Sequence, residues 1–184
     1  MKNQEQIIIQ TLKKGDESGL RQMFDLYYTP MCVFALKYID SFDQAEDLVQ
    51  DIFIGFWENK RIDNLNSSLK SYLFTSVRNN AINRIRKEKR FHLEELDDEF
   101  DLFEDDVVDL EELEEKKQSI YKEIEKLPTQ SRKVFELIIF GNCKYDEVAV
   151  ELNVSRNTVK THFSRALKQL RSSLDVIILI LIAS

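Results

Sequence analysis

The chain has little of what irregular or all-β folds need. Four glycines and two prolines in 184 residues are too few for the many turns of a sandwich or barrel. Two cysteines, Cys32 and Cys143, stand far apart and outside any C-x-x-C spacing. They read as small buried hydrophobes in a reducing compartment. Two histidines, His92 and His162, cannot complete a metal site with them, so no metal and no cofactor is expected. No Gly-rich phosphate loop, no Ser/His/Asp set and no pair of carboxylates in an apolar setting appears, so no enzyme and no small-molecule substrate is expected. The start, "MKNQEQIIIQTLKKGDE", has only three consecutive apolar residues and no signal-peptide form. The last apolar run, Val176 to Ala183, is shorter than the ~20 residues of a membrane span. A cytoplasmic protein without membrane insertion is expected.

Helix formers abound, and 43% of residues are apolar, so an all-α protein with packed cores is expected. The net charge of -7 argues against a nucleic-acid partner until its distribution is read. Residues 1–90 carry 14 Lys/Arg and 12 Asp/Glu. Residues 91–115 carry 14 Asp/Glu and no Lys or Arg. Residues 116–184 carry 12 Lys/Arg and 7 Asp/Glu. Two mildly basic bodies flank one acidic segment. The chain divides into a helical domain over 4–90, an acidic linker over 91–115, a second helical domain over 116–175 and a hydrophobic tail over 176–184.

In the first domain a helix from about Gln4 to Lys14 ends at Gly15. A second starts near Asp16 and bends or breaks at Pro30 before continuing to Ile39. A third covers Asp43 to about Asn59, and a fourth Ser67 to about Arg90. The third helix has an apolar face of Ala45, Leu48, Val49, Ile52, Phe53, Phe56 and Trp57. Its other face holds Asp43, Asp47 and Asp51 at i, i+4, with Glu46 and Gln50 beside them. Each such like-charge pair costs a helix about 0.2–0.5 kcal/mol. The helix dipole compensates only in the first turn, which leaves Asp51 unexplained. The face is either solvated or docks on a basic partner. In the fourth helix Thr75, Asn79, Asn83, Arg86 and Arg90 share a face, with Arg78 beside it. Guanidiniums neutralise phosphates and amides read base edges, although an ordinary basic surface has the same composition.

In the second domain Pro128 opens a helix that "GNC" ends. "YDEVAVELNVSRNTVKTHFSRALKQLRSSL" then has helix-turn-helix form, with Asn153 and Val154 in the turn and Ser155 as N-cap. The second of these helices buries Val159, Phe163, Ala166, Leu167 and Leu170. It exposes Arg156, Asn157, Lys160, Thr161, Ser164 and Arg165, the residue types that read a major groove. His162 is expected as an exposed contact residue. A plain three-helix packing unit is the alternative. The tail should extend the last helix and pack on protein, either its own domain or a regulator.

Three blocks, "DQAEDLVQDIFIGFW", "SYLFTSVRNNAINRIR" and "IEKLPTQSRKVFELIIFGNCKYDEVAVELNVSRNTVKTHFSRALKQLR", resemble in order and spacing an extracytoplasmic-function (ECF) sigma factor of the sigma-70 superfamily. Their overall pattern is most like Bacteroidetes-type members. The resemblance implies two helical domains, a region 2 bundle and a region 4 helix-turn-helix, joined by the acidic linker. It implies core RNA polymerase and promoter DNA as partners and an anti-sigma factor as regulator. Asp43, Glu46, Asp47, Gln50 and Asp51 would bind polymerase. Arg78, Asn79, Asn83, Arg86 and Arg90 would serve the minus-ten element. Arg156, Asn157, Lys160, Thr161, His162, Ser164 and Arg165 would serve the minus-thirty-five element. Asn83 stands where many members carry Asp, and Asn157 where Gly is common. The acidic linker would space the two domains, resist collapse onto duplex DNA, lie along the basic channel of polymerase or cover the chain's own basic faces. The competing reading is a stand-alone helix-turn-helix regulator whose N-terminal bundle dimerises or senses a ligand.

Overall fold

The computed structural model describes residues 2–65, 67–88 and 120–183, and among them every regular element is helical. They fall into two units, one on each side of the acidic segment. Arg90 and the linker residues 91–115 lie outside the described residues.

In the N-terminal unit α1 (Lys2–Lys13) buries Ile8 and Leu12. It stops at Gly15, whose φ of 71° suits a residue without a side chain. Asp16 then caps α2 (Glu17–Ala35), its side chain accepting from the Ser18 N–H at 2.8 Å. Gly19 permits the crossing of α1 and α2, since a Cβ there would sit 2.9 Å from the Leu12 backbone nitrogen. Of the bend or break expected at Pro30, the break is absent: α2 runs through Pro30 as helix. Proline removes one backbone hydrogen bond, but Met31, Cys32, Val33, Phe34 and Ala35 beyond it are all buried, and their packing holds the last turn in place. The helix ends at Ala35 rather than Ile39 because the chain tightens into a turn, with Lys37 N–H donating to Phe34 O and Tyr38 N–H to Ala35 O, each at 3.0 Å and three residues back.

Ser41 caps α3 (Phe42–Glu58), which buries Phe42, Ala45, Leu48, Val49, Ile52, Phe53 and Phe56. A 3₁₀ turn at Arg61–Asn64 inserts Ile62 into the core and leads to α4 (Leu69–Glu88). Helix α2 packs against α1, α3 and α4, and α3 also packs against α4. The edge of Phe34 meets Phe74 at 5.2 Å between centroids. The α4 N-terminus has an unexpected cap. The Glu5 carboxylate of α1 accepts from the backbone N–H groups of Leu69 and Lys70. A carboxylate on two free amides at a helix's positive end is stabilising, and it fixes how α4 leaves the bundle.

In the C-terminal unit, residues 120–125 are helical, followed by α5 (Thr129–Ile139), α6 (Tyr145–Glu151), α7 (Arg156–Gln169) and α8 (Leu174–Ala183). Phe135 and Phe163 lie 6.3 Å apart at its centre, both fully buried. Asn153 takes the left-handed conformation at φ 51° in the turn between α6 and α7. Ser155 caps α7, accepting from Thr158 N–H at 3.0 Å. The tail is not a plain extension of α7, because a 3₁₀ turn at Arg171–Ser173 intervenes. Helix α8 then packs against α5, burying Leu174, Ile177, Ile178, Leu181 and Ile182. Among the described residues no helix is long and apolar enough to cross a membrane.

Candidate functional site

Helix α3 presents Asp43, Asp47, Gln50 and Asp51 to solvent. Glu46 departs from the expected exposed stripe. It is only 6% exposed, and its carboxylate accepts from the Tyr28 hydroxyl at 3.3 Å. The same hydroxyl accepts from Gln50 Nε2 at 3.3 Å. Burial, with Cys32 and then Glu46 nearby, holds the Tyr28 hydroxyl above the ordinary phenol range, against the pull of the Gln50 hydrogen bond. Glu46 therefore joins α3 to α2, and the open acidic surface is narrower than five residues. Ile54, 55% exposed, follows on the same face one turn after Gln50 and Asp51, so that face is part acid and part apolar.

The repulsion that the sequence left unexplained has a partner in α4. Arg84 Nη2 lies 2.7 Å from Asp51 Oδ2, and Arg84 Nη1 also donates to Gln44 O at 3.3 Å. The two side chains are 35% and 71% exposed, so the pair contributes about 0.2–1 kcal/mol. That matches in size the like-charge cost of placing Asp51 one turn from Asp47.

Between the two helices runs a cleft of about 480 Å³, lined by Leu48 and Asp51 of α3 and by Asn80, Asn83, Arg84, Arg86 and Lys87 of α4. The structure thus brings Asn83 and Arg86 together with Asp51. Arg84 and Lys87, which the sequence sets beside the same polar face of α4, also line the cleft, and the structure adds Asn80, which sequence reasoning did not place in the site. The Asn80 side chain donates to Ser76 O, 2.9 Å away in its own helix. Asn79 is exposed and Arg78 is half-buried, but neither lines the cleft. Three cations and two amides around a concave surface suit an anionic, hydrogen-bonding ligand such as a nucleotide strand.

In the second unit Arg156, Asn157, Thr161 and Arg165 are exposed on α7, while Lys160 and Ser164 are half-buried at its flanks. Arg156 Nε lies 3.6 Å from Asp146, and its guanidinium sits 6.0 Å from the Tyr145 ring centre. These contacts tie the start of α7 to α6. His162 is not the exposed residue that was expected. It is half-buried, with Nδ1 3.2 Å from the hydroxyl of Ser131 on α5.

Two family models match the chain: sigma-70 region 2 over residues 23–91 and sigma-70 region 4 over residues 117–170. The chain belongs to the sigma-70 family. It is similar to the ECF RNA polymerase sigma factor RpoE of Cereibacter sphaeroides, 27% identical over 166 residues, covering 87% of this chain and 88% of that one. It is similar also to the ECF RNA polymerase sigma factor SigW of Bacillus subtilis, 29% identical over 182 residues, covering 90% and 94%. A solved structure of the sigma factor RpoE in complex with the anti-sigma factor NepR from Bartonella quintana aligns at 26% identity with a TM-score of 0.34, covering 84% of this chain and 95% of that one. On the two family models and the two sequence relatives, the chain is a sigma factor of the ECF type. The acidic face of α3 and the α3–α4 cleft fall within the region 2 match, and the α6–α7 pair within region 4. Helix α1 precedes the first match and α8 follows the second.

Proposed function

We propose that the chain binds core RNA polymerase through Asp43, Asp47, Gln50 and Asp51 of α3, and that Ile54 adds an apolar contact. It then reads a minus-ten element with Asn79, Asn83, Arg86 and the α3–α4 cleft, and a minus-thirty-five element with Arg156, Asn157, Lys160, Thr161, Ser164 and Arg165 of α7. The observation that carries this reading is the sorting of charge in the first unit. Neighbouring helices offer an acidic face and a basic cleft, which suits two partners of opposite charge held at once. The chain works in the cytoplasm, catalyses nothing by itself and is restrained by an anti-sigma factor. The motif pattern supports a Bacteroidetes-type member. The domain limits 4–90, 91–115 and 116–175 belong to the same proposal, with Arg78 and Arg90 as accessory phosphate contacts. Run-off transcription with purified core polymerase tests it: transcripts from a cognate promoter should require the chain. A stable homodimer that binds palindromic DNA without polymerase, and no added transcript, would overturn it.

A further inference from the structure

Ser131 and Glu46 are the buried polar residues among those described. Ser131 is 1% exposed, and the partner of its side chain is His162 Nδ1, 3.2 Å away on α7. A hydroxyl has one proton to donate, and leaving that donor unmade in a core costs more than leaving a lone pair unused. Among the described groups Nδ1 is the acceptor in reach, so the Ser131 O–H donates to it. A neutral imidazole that accepts at Nδ1 carries its proton on Nε2. The two ring nitrogens point in divergent directions, so Nε2–H points away from Ser131.

The place of His162 on α7 says what this donor meets. Val159, Phe163 and Ala166, at i−3, i+1 and i+4, are fully buried. His162 therefore lies at the edge of the buried stripe, not beside Thr161 and Arg165 on the outermost face. A donor at the flank of a groove-reading helix meets the wall of the groove, where the acceptors are phosphate oxygens. We propose that Ser131 is a positioning residue that locks the ring of His162, so that Nε2–H donates to a DNA phosphate and sets the depth of α7 in the groove. This rests on α7 being the DNA-reading helix.

Two measurements on the full chain test it. A long-range ¹H–¹⁵N correlation spectrum at about pH 8, above the ordinary histidine range, should show His162 protonated on Nε2 alone. In Ser131→Ala that signal should move toward a tautomer mixture. Binding of a labelled mixed-sequence DNA duplex at low salt should fall about two- to tenfold in Ser131→Ala, the worth of one hydrogen bond. His162→Asn, which keeps only the Nδ1-like position, should fall as far. His162→Gln carries its amide nitrogen near the Nε2 position. It should bind almost normally and become insensitive to Ser131→Ala. An Nδ1–H tautomer overturns the proposal. So does an equal loss from Ser131→Ala in the wild-type and His162→Gln backgrounds, which would mark a packing role. Reversing Arg156 and Arg165 together to Glu is the control for the underlying reading. If that too leaves duplex binding unchanged, α7 does not engage DNA, and the proposal falls for that separate reason.

Discussion

Replacing Ile177 by Ala should destabilise the C-terminal unit alone, and severely. Ile177 is fully buried and its neighbour Ile178 is 1% exposed. Removing a buried isoleucine side chain to Ala costs about 2–5 kcal/mol, from lost transfer energy and the cavity left behind. In a unit of this size each kcal/mol lowers Tm by about 4–8 °C, so a fall of about 8–40 °C is expected. Val150, 82% exposed, is the matched control: Val150→Ala should change stability by less than about 0.5 kcal/mol. The probes separate the units. The single tryptophan, Trp57, lies in α3 of the N-terminal unit, whereas far-UV circular dichroism reports every helix. Thermal or urea melts of Ile177→Ala should show a displaced dichroism transition and an unmoved Trp57 transition. If Ile177→Ala behaves like Val150→Ala, the tail is not held in a core. If the Trp57 transition moves by the same amount, α8 is not a private element of its own unit. Either result refutes the reasoning.

Asp47→Lys with Asp51→Lys should abolish capture by core polymerase in a pull-down. It should cost the fold only about 0.5–1 kcal/mol, because the second change sets an ammonium against Arg84; unchanged capture would rule out this docking face. Arg165→Ala should weaken promoter binding by about 1–3 kcal/mol with relaxed preference at one base pair if the side chain reads guanine. It should weaken binding evenly, with a shallower salt slope, if it touches phosphate. Glu5→Gln should lower the Trp57 melting transition, since the charge on the α4 amides is lost. Adding the variant's stability loss to that of Ser68→Ala, the other cap of that terminus, should give the double variant's loss to within a few tenths of a kcal/mol unless the two caps substitute for each other. Neutralising the nine carboxylates between Glu94 and Asp106 with Gln and Asn should raise affinity for mixed-sequence duplex most at low salt, and equal anisotropy titrations would show that the acidic run does not mask the basic faces.

What could be read from the sequence was local. Asp16 and Ser155 declare helix starts because an N-cap acts on amides two or three residues away. The buried stripes of α3 and α7 follow from periodicity. The continuity of α2 through Pro30 has the opposite origin: a local penalty was outweighed by packing that begins with the next residue. The remaining misses involve partners far apart in the chain. Glu5 caps a helix 64 residues on, Arg84 finds Asp51 across 33, Ser131 meets His162 across 31, and Tyr28 recruits Glu46 across 18. In each case the residue type fitted a solvated helix face equally well. No periodicity separates an acid that pairs across the bundle from one that faces water.

The Asp51–Arg84 pair shows why that distinction matters for function. Asp51 belongs to the face proposed to meet polymerase, and Arg84 lines the cleft proposed to meet DNA. A pair this exposed is held by about 0.2–1 kcal/mol, so either partner can take its member at little cost. Once a basic polymerase surface takes Asp51, Arg84 is left in the cleft with an uncompensated charge beside Arg86 and Lys87. The cleft then attracts phosphate more strongly than it does in the free protein. By reciprocity, DNA that takes Arg84 leaves Asp51 freer for polymerase, and each partner raises the affinity of the other by the same factor. With an ion pair of this strength that factor is small, about 1.4- to fivefold.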